Sequence, residues 1–216
     1  MKVLAINGSP RKGWNTATVL RNALDGAASQ GAETELVHLY DLDFKGCRSC
    51  LACKLKNGKS YGKCAQQDGL TPVLEKIPDV DVLILGSPIY FGSLTGEMRS
   101  FIERAAFPYT PSGHQVPTLI PKKIKIGLIL TLGADENRIK ELVGIQQLFA
   151  STEMILGRTF GSAESLHVTG TYLYDDDYTK YACSHDVAAK AKQHREEVFP
   201  IDCKKVFDMG ARLAKN

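Results

Sequence analysis

Short runs of apolar residues alternate along this chain with segments whose apolar positions fall on one helical face. That alternation restricts the possible folds more than any other feature of the sequence. Val3-Leu-Ala-Ile6 is continuously apolar, as a strand buried on both faces of a parallel sheet must be. From Asn15 to Gln30, Val19, Leu20, Ala23, Leu24 and Ala27 share one helical face, and Gly31 ends the run. Glu33 to Leu39 alternates polar and apolar residues and reads as a second strand. A short helix from Leu70 to Ile77, with Pro72 in its first turn, leads to the clearest strand, Val80 to Gly86. Helix Thr95–Ala106, strand Lys125–Leu132, a long helix Asn137–Leu156 and a last strand Glu164–Thr169 follow. Asp186 to Leu213 is predicted mostly helical, interrupted near Pro200.

Strands that alternate with helices make parallel βαβ units with right-handed crossovers. The expectation is an α/β three-layer sandwich around a five-stranded parallel sheet. It forms a single domain over 1–216, with a Cys-rich loop at 41–69 and a C-terminal helical extension at 186–216. With 216 residues and 44% hydrophobic content, the chain can bury a core without disulfide staples. A net charge of +3 gives no reason to expect nucleic acid or a membrane surface as partner. The opening MKVLAIN is too short for a secretory signal, and no apolar run approaches the ~20 residues that span a bilayer. The chain is therefore expected to be cytoplasmic, and its six cysteines to be thiols or ligands.

In such sheets ligands lie beyond the C-terminal ends of the strands, so the segments there matter most. The first strand runs into Asn7-Gly-Ser-Pro-Arg-Lys-Gly-Trp-Asn-Thr16, with a hydroxyl at Ser9, a guanidinium at Arg11, and Asn15 and Thr16 at a helix start. This is either an anion site built on the helix dipole and free N–H groups, or a helix cap with turn residues. GxxxxGK[ST] and GxGxxG are both absent there, so a single phosphate suits it better than a pyrophosphate. The third strand runs into Gly86-Ser-Pro-Ile-Tyr-Phe-Gly-Ser-Leu-Thr-Gly96, read as a loop over Ser87–Gly92, where Tyr90 and Phe91 offer aromatic surface to a planar ring. Thr131-Leu-Gly-Ala-Asp135 is a third small-residue turn on the same side.

NGSPR…NT after the first strand, with GSPIYFGSLTGEMRSFIER after the third, resembles the NADPH-dependent FMN reductase and iron–sulfur flavoprotein superfamily. The resemblance covers nearly the whole chain and implies a flavodoxin-like fold with strand order 2-1-3-4-5. By it, Ser9, Arg11, Asn15 and Thr16 hold the FMN phosphate. Ser87, Pro88, Ile89, Tyr90, Phe91 and Gly92 border the isoalloxazine ring. Thr131, Leu132 and Gly133 approach the ring or ribityl chain. A homodimer or homotetramer is also implied.

Cys47-Arg-Ser-Cys50-Leu-Ala-Cys53 is followed, after ten residues, by Cys64. Three thiolates at two-residue gaps can converge on one small centre, and a fourth can return from a loop. Four Cys ligands suit a 4Fe-4S cluster better than structural zinc, whose ligands usually come as separate pairs. The iron–sulfur branch carries a compact motif here that these positions resemble, although the gap to Cys64 is longer. The alternative, free thiols in a basic loop, stays open. Lys45 to Lys63 holds six Lys or Arg and no acid. It could offset a thiolate cluster, dock an acidic donor such as ferredoxin, or simply be a solvated face.

Other residues have plainer readings. Asp135 and Glu136 open a helix, Asp175–Asp177 form a solvated turn, and His167 packs in a strand. Trp14 either anchors the first loop or covers the flavin or a neighbouring subunit. Two main functions result, with a slow-turnover flavin-binding sensor as a third and weaker one. One is an enzyme in which FMN takes a hydride from NAD(P)H and passes electrons to a small-molecule acceptor such as a quinone or free flavin, with no catalytic side chain required. The other is a relay in which a cluster at Cys47, Cys50, Cys53 and Cys64 moves single electrons between ferredoxin and FMN. No nicotinamide motif separates NADH from NADPH.

Overall fold

A computed structural model describes residues 1–113, 118–141, 143–174, 177–183 and 185–215. Its strands are β1 (Lys2–Asn7), β2 (Glu33–His38), β3 (Val82–Tyr90), β4 (Ser93–Leu94), β5 (Ile124–Thr131) and β6 (Gly161–Val168). The helices are α1 (Asn15–Ala28), α2 (Thr71–Lys76), α3 (Gly96–Ala106), α4 (Glu136–Glu141), α5 (Val143–Phe160), α6 (His185–Glu197) and α7 (Phe199–Leu213).

Five strands run parallel in the order β2-β1-β3-β5-β6, the flavodoxin-like 2-1-3-4-5 order of a doubly wound sheet. The sheet has six strands rather than the expected five, because β4 pairs antiparallel with the end of β3. The expected loop at Ser87–Gly92 is therefore partly strand. The register Ile89↔Leu94 and Tyr90↔Ser93 leaves Phe91 and Gly92 as a two-residue turn, with φ of 48° and 75°. Positive φ at both positions is what matches a tight turn to the twist of its strands.

The continuous apolar strands are explained by covering on both faces. Val3, Ala5, Val82 and Ile84 pack with Leu20, Ala23, Val206 and Met209, so one layer is α1 with α7. Leu4, Ile6, Leu83 and Leu85 point the other way, into Met98, Phe101, Leu156 and Phe160 of α3 and α5. The outer strand β6 is only half-buried, which weakened its pattern, and it begins at Gly161, earlier than predicted. The C-terminal interruption near Pro200 falls at Val198, and the proline itself sits in the first turn of α7. Among the described residues, no helix is long and apolar enough to cross a membrane.

Candidate functional site

The ends of β1, β3 and β5 reach the same edge of the sheet, and β1 ends on a polar residue. Asn7 is fully buried, and its Oδ1 accepts the N–H of Ser9 at 3.0 Å. Gly8 donates its N–H to Gly86 O at 2.8 Å and accepts the Thr95 hydroxyl at 2.7 Å. A Cβ on Gly8 would stand 2.8 Å from Met98 Cβ, so only glycine lets the turn lie this close to α3. The Ser9 hydroxyl in turn accepts the N–H of Arg11 at 3.2 Å. The first turn of α1 has no side-chain cap and no acidic residue, so its N–H groups face the turn unneutralised by the chain.

Thr16 and Thr131 join the first and third turns through their hydroxyls, 2.7 Å apart. Arg11 donates to Leu173 O at 2.6 Å and Asn15 to Tyr172 O at 2.7 Å, which ties the segment after β6 across the turn. Arg195 of α6 reaches Asn15 Oδ1 at 3.3 Å, and the Arg11 guanidinium lies over the Trp14 ring at 4.7 Å. Trp14 thus contacts its own loop while also lining the cavity at this edge.

A cavity of about 100 Å³ lies at this edge, lined by Ser9, Arg11, Trp14, Asn15, Thr16, Pro88, Ile89, Tyr90, Thr131, Gly133 and Thr171 to Leu173. It is smaller than the ~300–1,000 Å³ that encloses a whole drug-sized ligand. The structure thereby brings together most of the residues the sequence singled out. Ser87 does not line the cavity: it is buried and its hydroxyl accepts the Thr95 N–H at 3.2 Å. Leu132 lies in the core. Phe91 and Gly92 sit at the tip of the β3–β4 turn, where Phe91 is fully exposed and Tyr90 is 42% exposed. Sequence reasoning missed Asn7, Thr95, Arg195 and Thr171 to Leu173. A polar residue closing an apolar strand was the available signal for Asn7. The others depend on long-range packing.

The cysteine loop is built differently. Cys47, Cys50, Cys53 and Cys64 all line one small cavity of about 20 Å³ beside Arg104, Glu103 and Phe107. Cys47 and Cys50 are exposed, Cys53 is buried and Cys64 half-buried. Ser49 and Leu51 both have positive φ, 52° and 58°, so the backbone kinks twice between the first three thiols. Arg104 anchors the segment from inside. Its side chain is fully buried and donates to Asp68, to Lys45 O at 3.0 Å, to Gln66 O at 3.2 Å and to Cys64 Sγ at 3.4 Å. Burial alone would raise the Asp68 carboxyl; the hydrogen bonds from Arg104 and the Leu70 N–H outweigh it and hold the group below its ordinary 3.8. Among the described residues, no group of three or more His, Cys, Asp or Glu is arranged to hold a metal ion. A larger cavity of about 600 Å³ opens between this loop, α2 and the end of α3, sharing Cys64 and Arg104. It lies away from the strand-end turns and contains none of their residues.

The remaining residues have local roles. Asp135 directly precedes α4, and His167 packs on Phe149 with ring centroids 4.5 Å apart. Asp177 accepts the Thr179 N–H at 3.1 Å, while Asp175 and Asp176 lie outside the described residues.

A doubly wound parallel sheet in this strand order, with a small polar cavity at its switch point, defines a flavodoxin-like fold. Residues 1–138 match the family of NADPH-dependent FMN reductases; the chain belongs to that family and is an FMN-dependent oxidoreductase. It is 35% identical to an iron–sulfur flavoprotein of Methanocaldococcus jannaschii over 148 residues, 68% of this chain and 69% of that protein. It is 33% identical to an iron–sulfur flavoprotein of Archaeoglobus fulgidus over 202 residues, 94% of this chain and 85% of that one. In fold it is similar to an NAD(P)H:quinone oxidoreductase from Methanothermobacter marburgensis, with TM-score 0.69, 17% identity and coverage of 100% and 98% of the two chains. A likeness of fold also links it to an FMN-dependent NADH-azoreductase from Bacillus anthracis, with TM-score 0.63, 12% identity and full coverage of both chains.

Proposed function

We propose that the chain binds FMN with its phosphate on the Ser9–Thr16 turn and its ring toward Tyr90 and Phe91, taking electrons from NAD(P)H and delivering them to a small acceptor such as a quinone or a free flavin. The observation that carries this is the cradle itself. The buried hydroxyls of Ser9 and Thr16 and the uncapped start of α1 surround a cavity that also reaches Pro88, Ile89 and Tyr90. A phosphate would take the place of the missing cap, with Ser9, Thr16, Asn15 and Arg11 as its side-chain donors. The exposed Tyr90–Phe91 tip offers apolar surface to the ring, and Thr131 and Gly133 line the cavity where the chain between would run. When bound, FMN supplies hydride acceptance and return. The protein's own part is to bind, orient and exclude water, and none of its side chains need act as acid or base. Anaerobic titration of the FMN-loaded protein with NADPH and NADH tests this: bleaching of the flavin absorbance, recovered on adding a quinone, is expected. Protein that takes up no FMN overturns it.

A second reading has its own support. Four thiols line one cavity, with cationic Arg48 and Arg104 beside them; in number and softness they are the ligand set of a 4Fe-4S cluster, and the two relatives above bear the name iron–sulfur flavoprotein. Cys47, Cys50, Cys53 and Cys64 would hold the cluster, which would draw the exposed Cys47 and Cys50 inward. The basic Lys45–Lys63 segment would then serve to dock ferredoxin. Iron analysis of anaerobically purified protein decides between about four iron per chain and none. We further infer a homodimer or homotetramer, supported by the exposed Tyr90–Phe91 tip and by Met154 and Ile155, 66% and 50% exposed on α5.

A further inference from the structure

We propose that the neutral imidazole of His38 holds the phosphate-binding turn in its working geometry, which makes His38 a positioning residue for FMN and a proton-sensitive control on cofactor affinity. The inference rests on the phosphate assignment above. His38 is the last residue of β2 and pairs in register with Asn7, the last residue of β1. Its Nδ1 lies 2.8 Å from Asn7 Nδ2.

The sense of that bond is decided by the other side of the amide. Ser9 N–H needs an acceptor, and the Asn7 atom it meets at 3.0 Å is Oδ1, which leaves Nδ2 facing His38. Nδ2 carries only hydrogens, so His38 Nδ1 must be a bare acceptor, with the ring proton on Nε2. A relay of fixed bonds follows. His38 Nδ1 accepts from Asn7, Asn7 Oδ1 accepts from Ser9 N–H, and Ser9 Oγ accepts from Arg11 N–H at 3.2 Å. One acceptor at the end of β2 therefore orients the buried amide that shapes the turn carrying Ser9 and Arg11.

Protonation of His38 turns Nδ1 into a donor that meets another donor. Asn7 is fully buried, so its amide must either give up the 2.8 Å bond to His38 and keep for Nδ2 only the long 3.5 Å contact to Ser9 O, or flip and present NH₂ to the Ser9 N–H. Both outcomes break the relay. The charged groups that face the ring are Asp41 from the turn after β2, Lys12 from the phosphate turn and Arg21 from α1. Burial depresses the imidazole most, Asp41 opposes this, and Lys12 and Arg21 add to it, leaving the ring below its ordinary 6.5. Lys12 and Asp41 are paired with each other, so neither acts on the ring at full strength. The neutral form, and with it the ordered turn, is thus fully present above the ordinary histidine value and is lost as pH falls through the depressed one. Linkage then requires that FMN binding depress His38 further, because FMN selects the turn that the neutral ring supports. Simple attraction between a phosphate dianion and an imidazolium would have the opposite sign.

The test uses the full chain, with FMN affinity read from quenching of flavin fluorescence between about pH 8 and about pH 5.5. His38→Gln keeps a neutral acceptor for Asn7. It should bind FMN at the upper pH much as the parent does, and lose the part of the pH dependence that the parent has beyond the phosphate's own titration near about pH 6. His38→Leu removes the acceptor and should weaken binding about tenfold at the upper pH, with the gap to the parent closing as pH falls and the parent loses its own acceptor. Ring-proton NMR of the parent should show the His38 pKa falling on FMN addition. A His38→Gln profile that overlays the parent's, or a His38 pKa that rises with FMN, overturns the inference. Arg11→Ala separates the two levels. If it leaves FMN affinity unchanged, the phosphate assignment fails and the His38 proposal falls with it. If it weakens binding while His38→Gln tracks the parent, only the His38 proposal fails.

Discussion

The strand-end turns and the cysteine loop both hold residue types chosen for chemistry at tight spacing, yet the fold treats them differently. The turns after β1, β3 and β5 hang from strands whose relative positions the sheet dictates; Thr16–Thr131 and Thr95–Gly8 cross-link them, and Asn7–His38 ties the end of β1 to that of β2. Their site is formed by the fold itself. The cysteine loop leaves the sheet at the end of β2 and returns only at α2. The buried Arg104 anchors it from within, Glu103 accepts the Cys47 N–H and Lys54 donates to Thr110 O, while two of its four thiols face solvent. A site on strand ends inherits its geometry from the core; a site on a long loop needs a dedicated anchor, and its ligand can do part of the shaping.

Substitutions that act on one region and spare the other test that contrast. The largest expected effect is that of Cys47→Ser, which should abolish iron retention in anaerobically purified protein while FMN content stays at the parent level; full iron in that variant removes Cys47 from the ligand set. Arg104→Ala follows, with a loss of about 3 kcal/mol in urea unfolding, since it strips partners from Asp68 and from two backbone carbonyls. It should expose the 41–69 loop to limited proteolysis while leaving FMN affinity nearly intact; equal losses in both regions would erase the distinction drawn here. The same pair sets an acid limit. The Asp68 carboxyl is depressed in the folded chain, so its stabilising effect is present above 3.8 and is lost as pH falls through the lower folded value, a loss that Arg104→Ala should remove.

Arg11→Ala should weaken FMN binding by about 1.5–3 kcal/mol, the range for a hydrogen bond to a charged group, without changing iron content. The smallest effect is expected at the turn tip. Phe91→Gly should raise stability by about 1 kcal/mol, because it removes a side chain from a left-handed backbone position. If Phe91 borders the ring, the same variant should turn over NAD(P)H more slowly. A more stable and equally active variant would leave the exposed aromatic without a role at the flavin.

The sequence by itself determined the layer architecture, the parallel sheet and the positions of the three strand-end turns, because periodicity and strand punctuation are local properties of the chain. Only packing in three dimensions decided the rest. The Ser87–Gly92 segment became strand and hairpin because β3 found a partner in Ser93–Leu94. Ser87 and Leu132 were absorbed into the scaffold, where hydrogen bonding and core volume claimed them. His38 and Asn7, thirty-one residues apart in the chain, met because parallel register sets strand ends side by side. Such pairings are properties of the sheet, and no window of the sequence contains both partners.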